Sequence, residues 1–142
     1  MILSPYIVAM LAAWIIAQGA KYVIVTVRTR SFSHLKQLYL SGNMPSAHSA
    51  TVSSLVMMIA LHEGLGSPVF ALALLFAAIV MYDAMMVRRS SGEQGAALQA
   101  LMKEQKSEYA LPRVAKGHTP VEVAVGAVLG LIIGAVVFIA TT

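Results

Sequence analysis

An all-α membrane bundle of four transmembrane helices, with a further amphipathic helix on the cytoplasmic side, is the architecture this sequence predicts. Three observations predict it. Of the 142 residues, 58% are apolar and 11% charged, about half the charged share of a soluble domain. Four stretches meet or approach the roughly 20 residues an apolar helix needs to cross a bilayer: 1–20 (running on to 27 past Lys21), 45–61, 68–87 and 120–140. The cations are also one-sided. Arg28, Arg30 and Lys36 fall between the first two stretches, with Lys21 just inside the first, and Arg88, Arg89, Lys103, Lys106, Arg113 and Lys116 fall around the link between the last two. The opposite link, 61–67, has only His62 and Glu63. The positive-inside rule therefore puts both basic links in the cytoplasm and both termini outside. Setting aside Lys21, Arg28, Arg88, Arg89 and Arg113 as catalytic candidates leaves the same asymmetry.

These observations also exclude classes. A net charge of +4 reports orientation and contact with anionic lipid in a membrane chain, not a nucleic-acid partner. The absence of cysteine rules out disulfides and thiolate metal sites. The first stretch has no basic start, and a lysine followed by more apolar residues stands where a signal cleavage site would be. It is expected to be a retained helix. One domain, 1–142, is expected, in a bacterial inner membrane.

Helix one should run from 4 or 5 to about 27 and carry Lys21 and Arg28 on one face, since seven residues make two turns. The segment 33–40 suits an amphipathic turn at the surface, broken by Ser41-Gly42-Asn43. Helix two is expected to start near Pro45, which fits a first helical turn. A tight external turn, 64–68, leads into helix three. Ser90-Ser91-Gly92 is expected to interrupt the chain before an amphipathic helix over 93–108, which either lies on the inner membrane surface or packs on the bundle. Helix four follows Gly117-His118-Thr119-Pro120, and its Gly126, Gly130 and Gly134 form a smooth stripe for close helix contact. That contact lies within the chain or across a homodimer; a four-helix bundle is thin around a buried anion, so a dimer through these glycines is expected.

The polar residues gather at one membrane face. Lys21 and Arg28 come from helix one, Ser46, His48 and Ser49 from the start of helix two, and His118 and Glu122 from the start of helix four. Helix N-termini offer free N–H donors and partial positive charge. Lysine and arginine add full charge and a planar fork, and two imidazoles allow one nucleophile and one proton donor. The set suits a phosphate group.

Met44-Pro45-Ser46-Ala47-His48-Ser49 and Gly117-His118-Thr119-Pro120-Val121-Glu122-Val123 resemble signature segments of the divergent branch of the type 2 phosphatidic acid phosphatase and vanadium haloperoxidase superfamily. Tyr82-Asp83-Ala84, Val87-Arg88-Arg89 and Gly92-Glu93-Gln94 resemble that branch's third segment. Against the wider superfamily pattern, Lys21 and Arg28 keep the first spacing with Thr29 in place of proline, Ala47 replaces a glycine, and His118 and Glu122 keep the last spacing with glutamate for aspartate. Arg113 stands one position short of the expected arginine, so Arg88, Arg89 and Arg113 are all candidates.

The resemblance implies an enzyme that hydrolyses a lipid phosphomonoester without metal or other cofactor. His118 would attack phosphorus, His48 would protonate the leaving alcohol and then activate water, and Glu122 would hold the His118 tautomer. Lys21, Arg28, Ser46 and one or more of the three arginines would neutralise the phosphoryl oxygens, with Asp83, Ser49 and Thr119 in support. Phosphatidylglycerophosphate, made on the cytoplasmic face, is the expected substrate. A polyprenyl pyrophosphate, or a non-enzymatic transport or assembly module with a vestigial anion site, are the alternatives.

Several of these residues have ordinary structural roles too. Thr119-Pro120-Val121-Glu122 fits a helix capping box, and one glutamate does not easily serve both a cap and an imidazole. Ser46 fits an N-cap, Lys21 and Arg28 fit snorkelling cations, and Asp83 fits a partner for Arg88. His34 and His62 fit interfacial polar residues.

Overall fold

The computed structural model describes residues 3–30, 44–112 and 114–142, with Arg28 described by its backbone alone. The expected turn over 33–40, His34, Lys36, the break at 41–43 and Arg113 lie outside the described residues. Among the described residues every regular element is helical: α1 (Pro5–Thr29), α2 (Ala47–Glu63), α3 (Pro68–Tyr82), a π-helical turn (Asp83–Val87), α4 (Arg88–Glu104) and α5 (Pro120–Thr141).

Among the described residues, three helices are long and apolar enough to cross a membrane: Pro5–Val27, Pro68–Glu104 and Pro120–Thr141, with mean hydropathies of 1.7, 2.2 and 2.8 over their most apolar stretches. Their outward faces carry exposed leucine, isoleucine and phenylalanine, among them Leu72, Leu75, Phe76 and Ile139, which lipid and not water would cover. The protein is a membrane protein. At 17 residues, α2 is shorter than these three.

Small residues at helical spacing let the bundle close. In α1, Ala9, Ala13 and Ala17 are wholly buried, and Lys21 continues the same four-residue row. On α5, Gly126, Gly130 and Gly134 face Ser46, Ala50 and Ser54 of α2 so closely that an added Cβ at any of them would meet backbone atoms there. Both rows step by four in the same direction, so α2 and α5 run parallel and in register. The glycine stripe is thus occupied within the chain, and the expected seam for a second copy is not a free surface. Ala13, Ala17, Ala47, Ala50 and Ile133 form the core where α1, α2 and α5 meet; α3 packs on α2 through Val52, Val56, Ile59, Ala73 and Ala77. At the other end His62 packs between Tyr6, tilted at 45° with ring centroids 5.2 Å apart, and Phe138, edge-on at 4.7 Å. His62 therefore sits far from the polar face, as its lack of motif context suggests.

Two boundaries differ from expectation. α2 begins at Ala47 with Ser46 as its N-cap, the structural role expected for that serine: its hydroxyl accepts the Ser49 N–H at 3.3 Å, so Pro45 precedes the cap instead of opening the first turn. Ser90-Ser91-Gly92 does not interrupt the chain, because the helix runs unbroken from Pro68 to Glu104. At the helical rise it is about 55 Å long, against roughly 30 Å of hydrocarbon, so its polar end extends past the membrane. The expected amphipathic stretch is the continuation of a spanning helix, ending at Glu104 and not at 108.

Candidate functional site

The site begins with the π turn. Arg88 N–H reaches five residues back to the Asp83 carbonyl instead of four back to Ala84. Ala84 O is thereby released from the helical ladder and accepts the His118 N–H at 3.0 Å. The wider turn also lets side chains five apart meet: Arg88 Nε donates to Asp83 Oδ2 at 2.7 Å. Single π turns within α-helices recur at functional sites, and here one turn orders a cation and a histidine together.

His118 is 4% exposed. Its Nδ1 lies 3.1 Å from Glu122 Oε2. An ionised carboxylate only accepts, so Nδ1 carries the proton and Nε2 keeps its lone pair. The same Oε2 accepts the Thr119 N–H at 3.0 Å, while the Glu122 N–H donates to Thr119 Oγ1 at 3.3 Å. The capping box is present, and the glutamate serves both roles after all. An oxygen with two lone pairs takes both donors because the cap brings Thr119 N–H and the adjacent imidazole to the same side.

Ser46 N–H donates to the Glu122 carbonyl at 3.1 Å, and Gly126 makes room for the Ser46 backbone. The starts of α2 and α5 are therefore tied together, with His48 two residues beyond one end of the tie and His118 four residues before the other. His48 is exposed and within electrostatic reach of Arg88, His118, Lys21 and Asp83. Lys21 is 4% exposed, which is burial and not snorkelling, and its charge acts on Glu122 and both imidazoles.

The arginine candidates separate. Arg88 acts electrostatically on both histidines. Arg89 turns away, 68% exposed and paired with Glu93 at 3.1 Å. Arg113 and the Arg28 side chain lie outside the described residues. Ser46 is wholly buried as the α2 cap, its Oγ accepting from the Ser49 hydroxyl at 2.9 Å as well as from the Ser49 N–H. Both serines are thus occupied in holding the helix start that carries His48.

Pro112 and residues 114–118 were not expected from the sequence to pack as a unit, yet they place His118. They lie against α4. Gln99 Nε2 donates to Pro112 O at 2.7 Å, the Ala115 carbonyl passes over Gly92, and Gly117 lies on the Arg89 backbone. An added Cβ would come within 2.1 Å of Ala115 O at Gly92 and 2.7 Å of Arg89 Cα at Gly117. The available signal was the pair of glycines, one of them inside a helix, where glycine costs about 1 kcal/mol against alanine.

Burial holds the His118 imidazole below its ordinary pKa; the hydrogen bond and charge of Glu122 oppose this, and Lys21 and Arg88 reinforce it. The neutral ring predominates above a depressed pKa, so the His118 imidazole should titrate below about pH 6.5. Glu122→Gln removes the opposing charge, and the midpoint should then move to still lower pH. An NMR titration of the His118 ring in both proteins checks the sign; a midpoint that moves upward contradicts it.

The sequence profile described as the Divergent PAP2 family matches residues 3–133. The uncharacterized membrane protein YuiD of Bacillus subtilis (strain 168) is 33% identical, the alignment covering 87% of this chain and 87% of that protein. No solved structure matches.

Proposed function

The chain belongs to the divergent PAP2 family, and from that premise we propose that it is a phosphatase that hydrolyses a lipid phosphomonoester at the cytoplasmic face through a phosphohistidine. The observation that carries this reading is the tie between Ser46 N–H and the Glu122 carbonyl, which gathers His48 and His118 into one layer with buried Lys21 and with Arg88. In the first step the His118 Nε2 lone pair attacks phosphorus and the bond to the lipid oxygen breaks. That oxygen takes a proton from His48. In the second step His48, now neutral, takes a proton from water as the water oxygen attacks phosphorus and the P–N bond breaks. Lipid alcohol and inorganic phosphate leave, and both histidines return to their starting states. Lys21 and Arg88 offset the oxygen charge that builds in each transition state, the part of phosphoryl transfer that proteins must supply.

A lipid substrate is favoured by depth. Lys21 lies seven residues before Arg28 on α1, about 10 Å further from the helix end at 1.5 Å per residue. A phosphate meeting it sits near the boundary of headgroups and acyl chains. Because α2 keeps register with α5 from Ser46 to Ser54, we take α2 as the fourth span. The one-sided cations favour an active end in the cytoplasm and both termini outside, and we assign the chain to a bacterial inner membrane. Phosphatidylglycerophosphate meets these conditions; a polyprenyl pyrophosphate handled outside does not.

Purified protein with a chelator present should release inorganic phosphate from phosphatidylglycerophosphate in mixed micelles, and faster than from phosphatidic acid. Absence of release from every lipid phosphate in a screen would remove the enzymatic reading. Vanadate binding without turnover would then favour a non-catalytic anion site.

A further inference from the structure

We infer that Pro112 and residues 114–118 act as a positioning strap, with Gln99 and Gly117 as positioning residues that set where the His118 imidazole meets the anion; this rests on the reading of His118 as the group that meets it. Four contacts fix one register of the strap on α4. Gln99 holds Pro112 at 2.7 Å, Gly92 admits the Ala115 carbonyl and Gly117 admits the Arg89 backbone, and Ala84 O receives the His118 N–H at 3.0 Å. On the helix these positions descend as 99, 92, 89 and 84 while the strap ascends. The first three are separated by seven and three residues, which is one face of an α-helix. The last interval is five residues, which an α-helix would carry round to another face. The π turn's five-residue hydrogen bonding keeps Ala84 in line. The strap therefore delivers the His118 amide, and not that of a neighbour, to the single carbonyl the π turn has released.

This differs from a merely stabilising loop in what it should change. Lys21 and Arg88 stand on α1 and α4; Gly117 packs on the Arg89 backbone next to Arg88, whereas Gln99 holds the far end of the strap, about three helical turns from Arg88. Loosening the strap at Gln99 should therefore misplace the nucleophile with substrate affinity nearly intact, and a 1 Å misplacement can cost about 10²-fold in rate. Gln99→Leu removes the donor to Pro112 O, whereas Gln99→Lys retains a donor on a side chain of similar reach. Gly117→Ala places a methyl group against the Arg89 backbone.

The experiment compares wild type, Gln99→Leu, Gln99→Lys, Gly117→Ala and His118→Ala for phosphate release, orthovanadate affinity and thermal midpoint. Gln99→Leu should lower kcat about tenfold with KM within twofold, and should weaken vanadate binding toward the His118→Ala value. Gln99→Lys should restore both, and Gly117→Ala should lower kcat about 10²-fold. Should Gly117→Ala fail to fold, the Gln99 pair still decides. Vanadate affinity that ignores the strap variants, or that is absent from the wild type, overturns the positioning role. A wild type that binds vanadate in a strap-dependent way yet releases no phosphate keeps this inference and sinks the phosphatase reading.

Discussion

His118→Ala is expected to lower phosphate release by at least about 10⁴-fold, the scale on which loss of a nucleophile is felt. The substitution is a clean one. The His118 N–H to Ala84 O bond uses the backbone, so alanine keeps the strap in place, and the capping bonds between Thr119 and Glu122 do not involve the ring. Thermal stability should therefore fall only by what the buried ring and its bond to Glu122 contribute, about 1–3 kcal/mol, with the strap and the cap retained. His48 cannot readily substitute, since it lies exposed on the first turn of α2 and no described carboxylate hydrogen bond fixes its tautomer. The proposed phosphohistidine offers a second readout. Wild-type protein given radiolabelled lipid phosphate and quenched in alkali should retain an acid-labile, base-stable label, and His118→Ala should retain none. Label persisting in the variant would move the nucleophile elsewhere.

Much of this architecture is legible in the sequence because it is local. Apolar runs, the four-residue glycine stripe and the Thr119–Glu122 box are each read within one helix, and α1, the start of α3 and α5 fall where those patterns place them. What escapes depends on contacts between distant segments. Ser90-Ser91-Gly92 has the composition of a break, yet it continues the helix because Gly92 is needed beneath the Ala115 carbonyl; tertiary packing overrides propensity there. The π turn has no local signature, since Asp83–Val87 would form an ordinary helical turn by composition, and only the bond from His118 N–H shows why the Ala84 carbonyl is released. Arg88 and Arg89 are adjacent and chemically identical. They are separated only by which face of the widened turn each occupies, one toward Asp83 and the histidines, the other toward Glu93. Glu122 looked overcommitted because spacing counts roles, whereas geometry counts lone pairs.

Gly130→Ala should produce the largest loss of stability and remove activity with it. A Cβ at this position would lie 2.1 Å from the Ala50 carbonyl oxygen and 2.9 Å from Ala50 Cα. Both are backbone atoms within helices, so no side-chain rotation relieves the clash and α5 must move off α2. Overpacking of this kind typically costs about 1–3 kcal/mol. The displacement would also reach the site, since the same interface carries the Ser46 N–H to Glu122 carbonyl bond, one turn away along α2 and about two along α5, and with it the spacing of His48 from His118. Activity should accordingly fall about 10²-fold or more, along with a lower thermal midpoint in detergent. Gly19 supplies the contrast. It is also a glycine inside a membrane helix, but an added Cβ there has nothing within 4 Å, so Gly19→Ala should be neutral or stabilise by up to about 1 kcal/mol. Oligomeric state separates the two readings of the stripe. If the glycines pack within one chain, Gly130→Ala destabilises each protomer without altering assembly at the same detergent and protein concentration. A variant that stays folded and active but changes from dimer to monomer would return the stripe to an interface between copies, and the α2–α5 contact would no longer explain how the two imidazoles are brought together.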